Sequence, residues 1–150
     1  MGLNVHPSQA PVVPSLHGEE VPSRENQRYS NVLLVDDSKF LADILTMFFQ
    51  LDGYTARAAY GGRHAIELIE DEVPDIAFLD IDMPDIDGLQ LAKHIRESKR
   101  ACGTTLVALS GWDEEPNKQK AREAGFDHFI SKPVEAPAIR EFMKKLEEEA

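Results

Sequence analysis

One alternation constrains this chain more than anything else in it: a short run of strand length, then a segment of helical period, repeated five times. The runs are Val32–Val35, Tyr54–Ala59, Ile76–Leu79, Leu106–Leu109 and Asp127–Ser131. Three of them are continuously apolar, the signature of strands covered on both faces. Between them lie amphipathic stretches. Ser38 stands where a helix needs an N-cap, and Leu41, Ile44, Leu45, Phe48 and Leu51 follow at 3-to-4 spacing. Gly53 ends that helix where a positive φ is wanted. Gly61 and Gly62 lead into a second helix carrying Ala65, Ile66, Leu68 and Ile69, closed by Pro74. Gly88 opens a third, with Leu89, Leu91, Ala92 and Ile95 inward. A polar helix over 114–124 ends at Gly125, and a last helix buries Ile139, Phe142, Met143 and Leu146. Strands and helices in strict alternation with short loops predict an α/β fold. The expected form is a doubly wound five-stranded parallel sheet with helices on both faces. Right-handed crossovers leave few strand orders, of which 2-1-3-4-5 is common at this size.

The 150 residues make room for one such domain and little more. Residues 1–30 read differently. Four of the nine prolines fall there (Pro7, Pro11, Pro14, Pro22) among Ser, Gln, His and Asn, with no apolar period. A disordered N-terminal extension over 1–30 and a folded domain over 31–150 are expected. A formal charge of −11 opposes a nucleic-acid surface, which needs clustered Lys and Arg. No run is apolar enough for a membrane span, and the start lacks a secretion signal. The single cysteine, Cys102, cannot form an internal disulfide, which suits a reducing cytoplasm. The five histidines show no metal-ligand spacing.

Polar residues stand at the strand ends: Asp36 and Asp37, Asp80, Ser110 and Lys132. In a parallel α/β sheet, strand C-termini open onto one crevice. In the expected order the first and third strands are neighbours, which sets Asp36 and Asp37 beside Asp80. Three carboxylates in one pocket repel, so they share protons or a cation. A hard divalent ion, Mg²⁺ or Mn²⁺, is the usual solution and leaves coordination positions for phosphate oxygens. One carboxylate can then act as a nucleophile toward phosphorus, giving an aspartyl phosphate. The metal, Lys132 and a hydroxyl would neutralise the transferred oxygens. Asp80, after the central strand, is the best candidate nucleophile; Asp36 and Asp37 suit metal duty. The Lys132–Pro133 bond can be cis at modest cost.

Four segments now carry a resemblance: Val35-Asp36-Asp37-Ser38, Leu79 through Gly88, Ala108-Leu109-Ser110-Gly111 and Ile130-Ser131-Lys132-Pro133. In order and spacing they resemble the signatures of the response-regulator receiver domain of two-component signalling, a flavodoxin-like fold, over about residues 31–147. The resemblance implies Asp80 as phosphoacceptor from a phosphohistidine. It implies Mg²⁺ held by the side chains of Asp37 and Asp80, by the backbone carbonyl of Asp82, and by Asp36 directly or through water. Ser110 would hydrogen-bond the phosphoryl group, Lys132 would form an ion pair, and Phe129 would be the switch aromatic. Residues 121–135 resemble receivers attached to hybrid sensor kinases. Implied partners are a histidine kinase or hybrid kinase, a histidine phosphotransfer protein and a downstream protein target.

Ser110 replaces the frequent Thr with the same hydroxyl, and Phe129 lacks a hydroxyl, so it could switch only by packing. Asp82 and Trp112 occupy positions that flank the attacking water in receivers, which predicts a long-lived phosphorylated state. A haloacid-dehalogenase-type phosphatase also begins with Asp-x-Asp, as in Asp80-Ile81-Asp82. Here Met83-Pro84 follows, and the Asp pair lies upstream. A receiver-like module unable to accept phosphate would lack side chains that this chain retains. The expected protein is a cytoplasmic single-domain response regulator, catalysing only its own phosphotransfer and dephosphorylation. Its output would be protein contact or phosphorelay.

Overall fold

The computed structural model describes residues 28–112 and 114–149. Most of the extension expected over 1–30 lies outside them. Five parallel strands alternate with five helices: β1 (Asn31–Val35), α1 (Lys39–Leu51), β2 (Thr55–Ala59), α2 (Gly62–Asp71), β3 (Ile76–Asp80), α3 (Gly88–Glu97), β4 (Thr105–Ser110), α4 (Glu115–Ala124), β5 (His128–Ser131) and α5 (Ala136–Glu148). The strand order is β2-β1-β3-β4-β5, the expected 2-1-3-4-5. The register pairs Val35 with Leu79 and Asp80 with Leu109, so the C-terminal ends of β1, β3 and β4 finish level.

Alternate side chains along each strand face opposite sides, and the sheet divides the core in two. Leu33 and Val35, Ala77 and Leu79, Leu106 and Ala108 pack against α2, α3 and α4. Val32 and Leu34, Ile76 and Phe78, Val107 and Leu109 pack against α1 and α5. Each central strand is therefore apolar on both faces, which is why it reads as an unbroken hydrophobic run.

Asp75 sets where the sheet begins. Its Oδ2 accepts the backbone N–H groups of Ser30 and Asn31, each at 2.9 Å. Its own N–H donates to Asn31 and its carbonyl accepts from Thr105. Tyr29 is buried in the core on the α1/α5 side, so packing starts two residues before the expected boundary.

The helix signals hold at their ends. Ser38 caps α1, and Gly53 and Gly125 take φ values of 94° and 111°. The inner face of α1 differs from the expected stripe. Ala42, Leu45, Thr46 and Phe49 are buried, while Leu41 is exposed and Ile44, Phe48 and Leu51 are partly so. The buried face runs Ala42, Leu45, Thr46, Phe49 at i, i+3, i+4, i+7, so the helix is turned from the expected stripe and the small Ala42 and Thr46 share its inner face with two large residues. Thr46 is tolerated inside because its hydroxyl donates to Ala42 O at 2.7 Å. Phe40 and Met47 are left 71% and 54% exposed.

Candidate functional site

The ends of β1, β3 and β5 deliver the charged groups of the crevice. Asp36 follows β1, and its N–H donates to Ala59 O at 3.1 Å, extending the sheet by one step. Its Oδ1 then accepts the N–H of Ser38 at 2.9 Å, turning the chain into α1. That turn leaves Asp36 buried and Asp37 exposed at the mouth. Asp80 ends β3, where its side chain is only 4% exposed. Lys132 follows β5. Its backbone N–H donates to Ser110 O at 2.8 Å, and its bond to Pro133 is cis.

These placements bring the charges together. Lys132 Nζ lies 3.0 Å from Asp80 Oδ1 and 3.3 Å from Asp36 Oδ2. Asp36, Asp37 and Asp80 each bring a carboxylate oxygen within 4.8 Å of the others. The contact between Lys132 and Asp36 had no separate signal in the sequence. It follows from Asp36 being the inward member of the Asp pair.

Ser110 is buried, and its Oγ accepts the Trp112 N–H at 3.0 Å. The hydroxyl also donates to Trp112 O at 3.4 Å, so it is held within its own loop. Trp112 itself is 62% exposed. Phe129 lies half-buried on β5, packed against the α2/α3/α4 side of the core, with Lys118 Nζ 5.9 Å from its ring centroid. Asp82 is exposed, and its N–H donates to Asp80 Oδ1 at 3.3 Å.

The electrostatics are unbalanced. Burial pushes the Asp80 carboxyl up to about 6; the hydrogen bond from Lys132 pulls it down, and the charge of Asp36 pushes it up again. Burial pulls Lys132 down, but its two carboxylate partners outweigh that and hold it above the ordinary lysine value. One ammonium therefore does not neutralise the cluster. Three convergent carboxylates short of positive charge fit a hard divalent cation, which prefers oxygen ligands and keeps several waters.

A close backbone approach fixes the end of β3. Gly88, the first residue of α3, donates its N–H to Ile81 O at 2.9 Å. A Cβ there would lie 2.4 Å from Asp80 O and 2.6 Å from Ile81 Cα. Only glycine lets the helix seat directly on the strand end. Asp87 and Gln90 then cap α3 reciprocally.

Sequence reasoning missed two supporting groups. Arg96 on α3 donates to Gly125 O, Cys102 O, Thr104 O and Asp127 Oδ2 at 2.6–2.9 Å, joining α3 to the starts of β4 and β5. Arg63 on α2 pairs with Asp85 in the loop after Asp80. Neither lies in an apolar period or strand-end pattern, so neither had a sequence signal.

Solved structures share this architecture. The chemotaxis protein CheY4 of Vibrio cholerae superposes with a TM-score of 0.74 at 23% identity, over 78% of this chain and 98% of that one. The receiver domain of Francisella response regulator 1452 gives 0.70 at 29% identity, over 79% and 96%. The receiver domain of a Syntrophus aciditrophicus signal transduction histidine kinase gives 0.70 at 24% identity, over 79% and 90%. The family model for the response regulator receiver domain matches residues 32–144, spanning all five strands and the whole crevice. With motif order, topology and family match in agreement, this chain belongs to the response regulator receiver domain family of two-component signalling.

Proposed function

We propose that this protein is a response regulator that accepts a phosphoryl group on Asp80 from a phosphohistidine of a histidine kinase, hybrid kinase or phosphotransfer protein. The observation that carries the reading is the contact of Lys132 Nζ with the buried Asp80 carboxylate inside a three-carboxylate cluster. An ionised Asp80 oxygen attacks phosphorus. The P–O bond forms as the P–N bond breaks, its electron pair passes to the imidazole nitrogen, and a proton carried on the ring's other nitrogen lets the imidazole leave neutral. Lys132 balances charge on the transferred oxygens. Ser110 gives up its bonds to Trp112 to donate to one of them. Mg²⁺ or Mn²⁺, held by Asp36, Asp37, Asp80 and the Asp82 carbonyl, would supply further charge neutralisation and alignment.

In the same reading the released Trp112 loop and the half-buried Phe129 ring pass the event to α4, β5 and α5. Phosphorylation biases a pre-existing equilibrium between two arrangements of that face. Output is protein contact or onward phosphorelay, with no nucleic-acid partner. The exposed Phe40 and Met47 on α1, beside the crevice, suit contact with the phosphodonor. Among the described residues no helix is long and apolar enough to cross a membrane; a cytoplasmic site of action is part of the proposal.

Incubation with acetyl phosphate and Mg²⁺, followed by intact-protein mass spectrometry, tests the assignment. One phosphoryl group is expected on the wild type and none on Asp80→Asn. An unmodified wild type, or modification of the variant, would overturn it.

A further inference from the structure

The loop between Asp80 and α3 carries a second anchor that lies outside the crevice. At its tip Asp85 adopts a left-handed backbone with φ 67°, unusual for a residue other than glycine. Two contacts from the first turn of α2 hold it there. Arg63 Nε lies 2.5 Å from Asp85 Oδ2, and Nη2 lies 3.4 Å from Oδ1. Immediately beside this pair, Ile86 packs on the bare Cα of Gly62. A Cβ there would lie 2.6 Å from Ile86 Cβ and 2.9 Å from Ile86 O. The base of the loop is fixed separately, by the Gly88 N–H to Ile81 O and by the Asp87 cap. Residues 82–84 run between that fixed base and a tip gripped by another helix, with Met83 buried in the core between them.

We infer that Arg63 is a positioning residue: through Asp85 it sets the loop that presents the Asp82 carbonyl, and so tunes how tightly the crevice holds a divalent cation. The inference rests on the metal-binding role proposed for the crevice. Arg63 and Asp85 are both on the surface, where an ion pair contributes little to global stability. The grip is read in the loop rather than in the fold.

The test is calorimetric titration of the full chain with Mg²⁺, beside thermal unfolding in EDTA. The variants are R63A, D85A, R63A/D85A and R63K. If Arg63 positions the loop, R63A and D85A each weaken Mg²⁺ binding about three- to tenfold. The double variant is then no weaker than the singles, R63K regains part of the loss, and unfolding temperatures stay close to wild type. Electrostatics alone predicts opposite signs: removing the Arg63 cation would tighten binding and removing the Asp85 anion would weaken it. Tighter binding by R63A, additive losses in the double variant, or affinity unchanged within twofold overturns the inference. D37N separates this failure from that of the crevice itself: wild type that binds Mg²⁺ no better than D37N defeats both.

Discussion

Replacing Asp80 by Asn should make the metal-free protein more stable, by an amount the site itself dictates. The carboxyl moves from 3.8 to about 6 on folding, with burial as the largest cause and the pull of Lys132 already included. At about 1.4 kcal/mol per pH unit, that displacement corresponds to about 3 kcal/mol. The sign follows from proton binding. Between pH 3.8 and about 6 the folded state holds the Asp80 proton more tightly than the unfolded chain. The contribution of Asp80 to stability is therefore greatest below this window, falls as pH rises through it, and is flat above.

An Asn of the same shape has no charge to desolvate, and Lys132 keeps Asp36 as a partner at 3.3 Å. In EDTA at pH 7.5, urea unfolding should show D80N about 3 kcal/mol more stable at unchanged m, or roughly 10 °C higher in Tm. Near pH 4 the difference should vanish. Saturating Mg²⁺ should narrow the gap at pH 7.5 by stabilising the wild type preferentially. A variant of equal or lower stability at pH 7.5, or a difference independent of pH, would refute the claim that the crevice holds an uncompensated negative charge.

Lys132→Ala should push the Asp80 carboxyl further up, because it removes the ammonium that lies against both Asp36 and Asp80; carbon-detected NMR titration in EDTA reads this, together with slower phosphorylation by acetyl phosphate. Gly88→Ala forces a Cβ against the backbone of Asp80 and Ile81, which cannot swing aside. It should cost about 2–4 kcal/mol in urea unfolding, beyond the usual range for overpacking at its upper end. Arg96→Ala removes four hydrogen bonds, two of them to the part-buried carbonyls of Thr104 and Gly125, and should lower stability by about 3 kcal/mol, with amide exchange accelerated first around 102–106 and 125–127. If Asp82 and Trp112 shield the acyl phosphate, Trp112→Ala should shorten its lifetime several-fold in a mass-spectrometric decay. An unchanged lifetime would remove Trp112 from that role.

The sheet order and the strand-end residues were legible because both derive from strong local signals. Continuous apolar runs mark doubly covered strands, and a parallel sheet sends every strand end to one side. Asp36, Asp37, Asp80 and Lys132 therefore meet, while Ser110 Oγ is bonded to Trp112 within its own loop. The orientation of α1 was not legible, because the stripe of large residues Leu41, Ile44, Phe48 and Leu51 outweighed the small Ala42 and Thr46 that share its inner face. Arg63, Asp85 and Arg96 were missed for another reason. Long cationic side chains reach across loops to partners far away in sequence, and no periodicity encodes such reach. The left-handed φ of Asp85 likewise has no sequence marker beyond the tolerance of Asp for that region.

The partition of the core by the sheet has one further consequence. Asp80 continues the row of Ile76 and Phe78, on the α1/α5 side, whereas Ser110 continues the row of Leu106 and Ala108, on the α3/α4 side. Buried side chains in one compartment have no direct view of the other, since five strands of backbone stand between them. The rim is where the two compartments share a boundary. A phosphoryl group accepted on Asp80, as proposed, would therefore reach the α3/α4 compartment only at that rim, through Ser110.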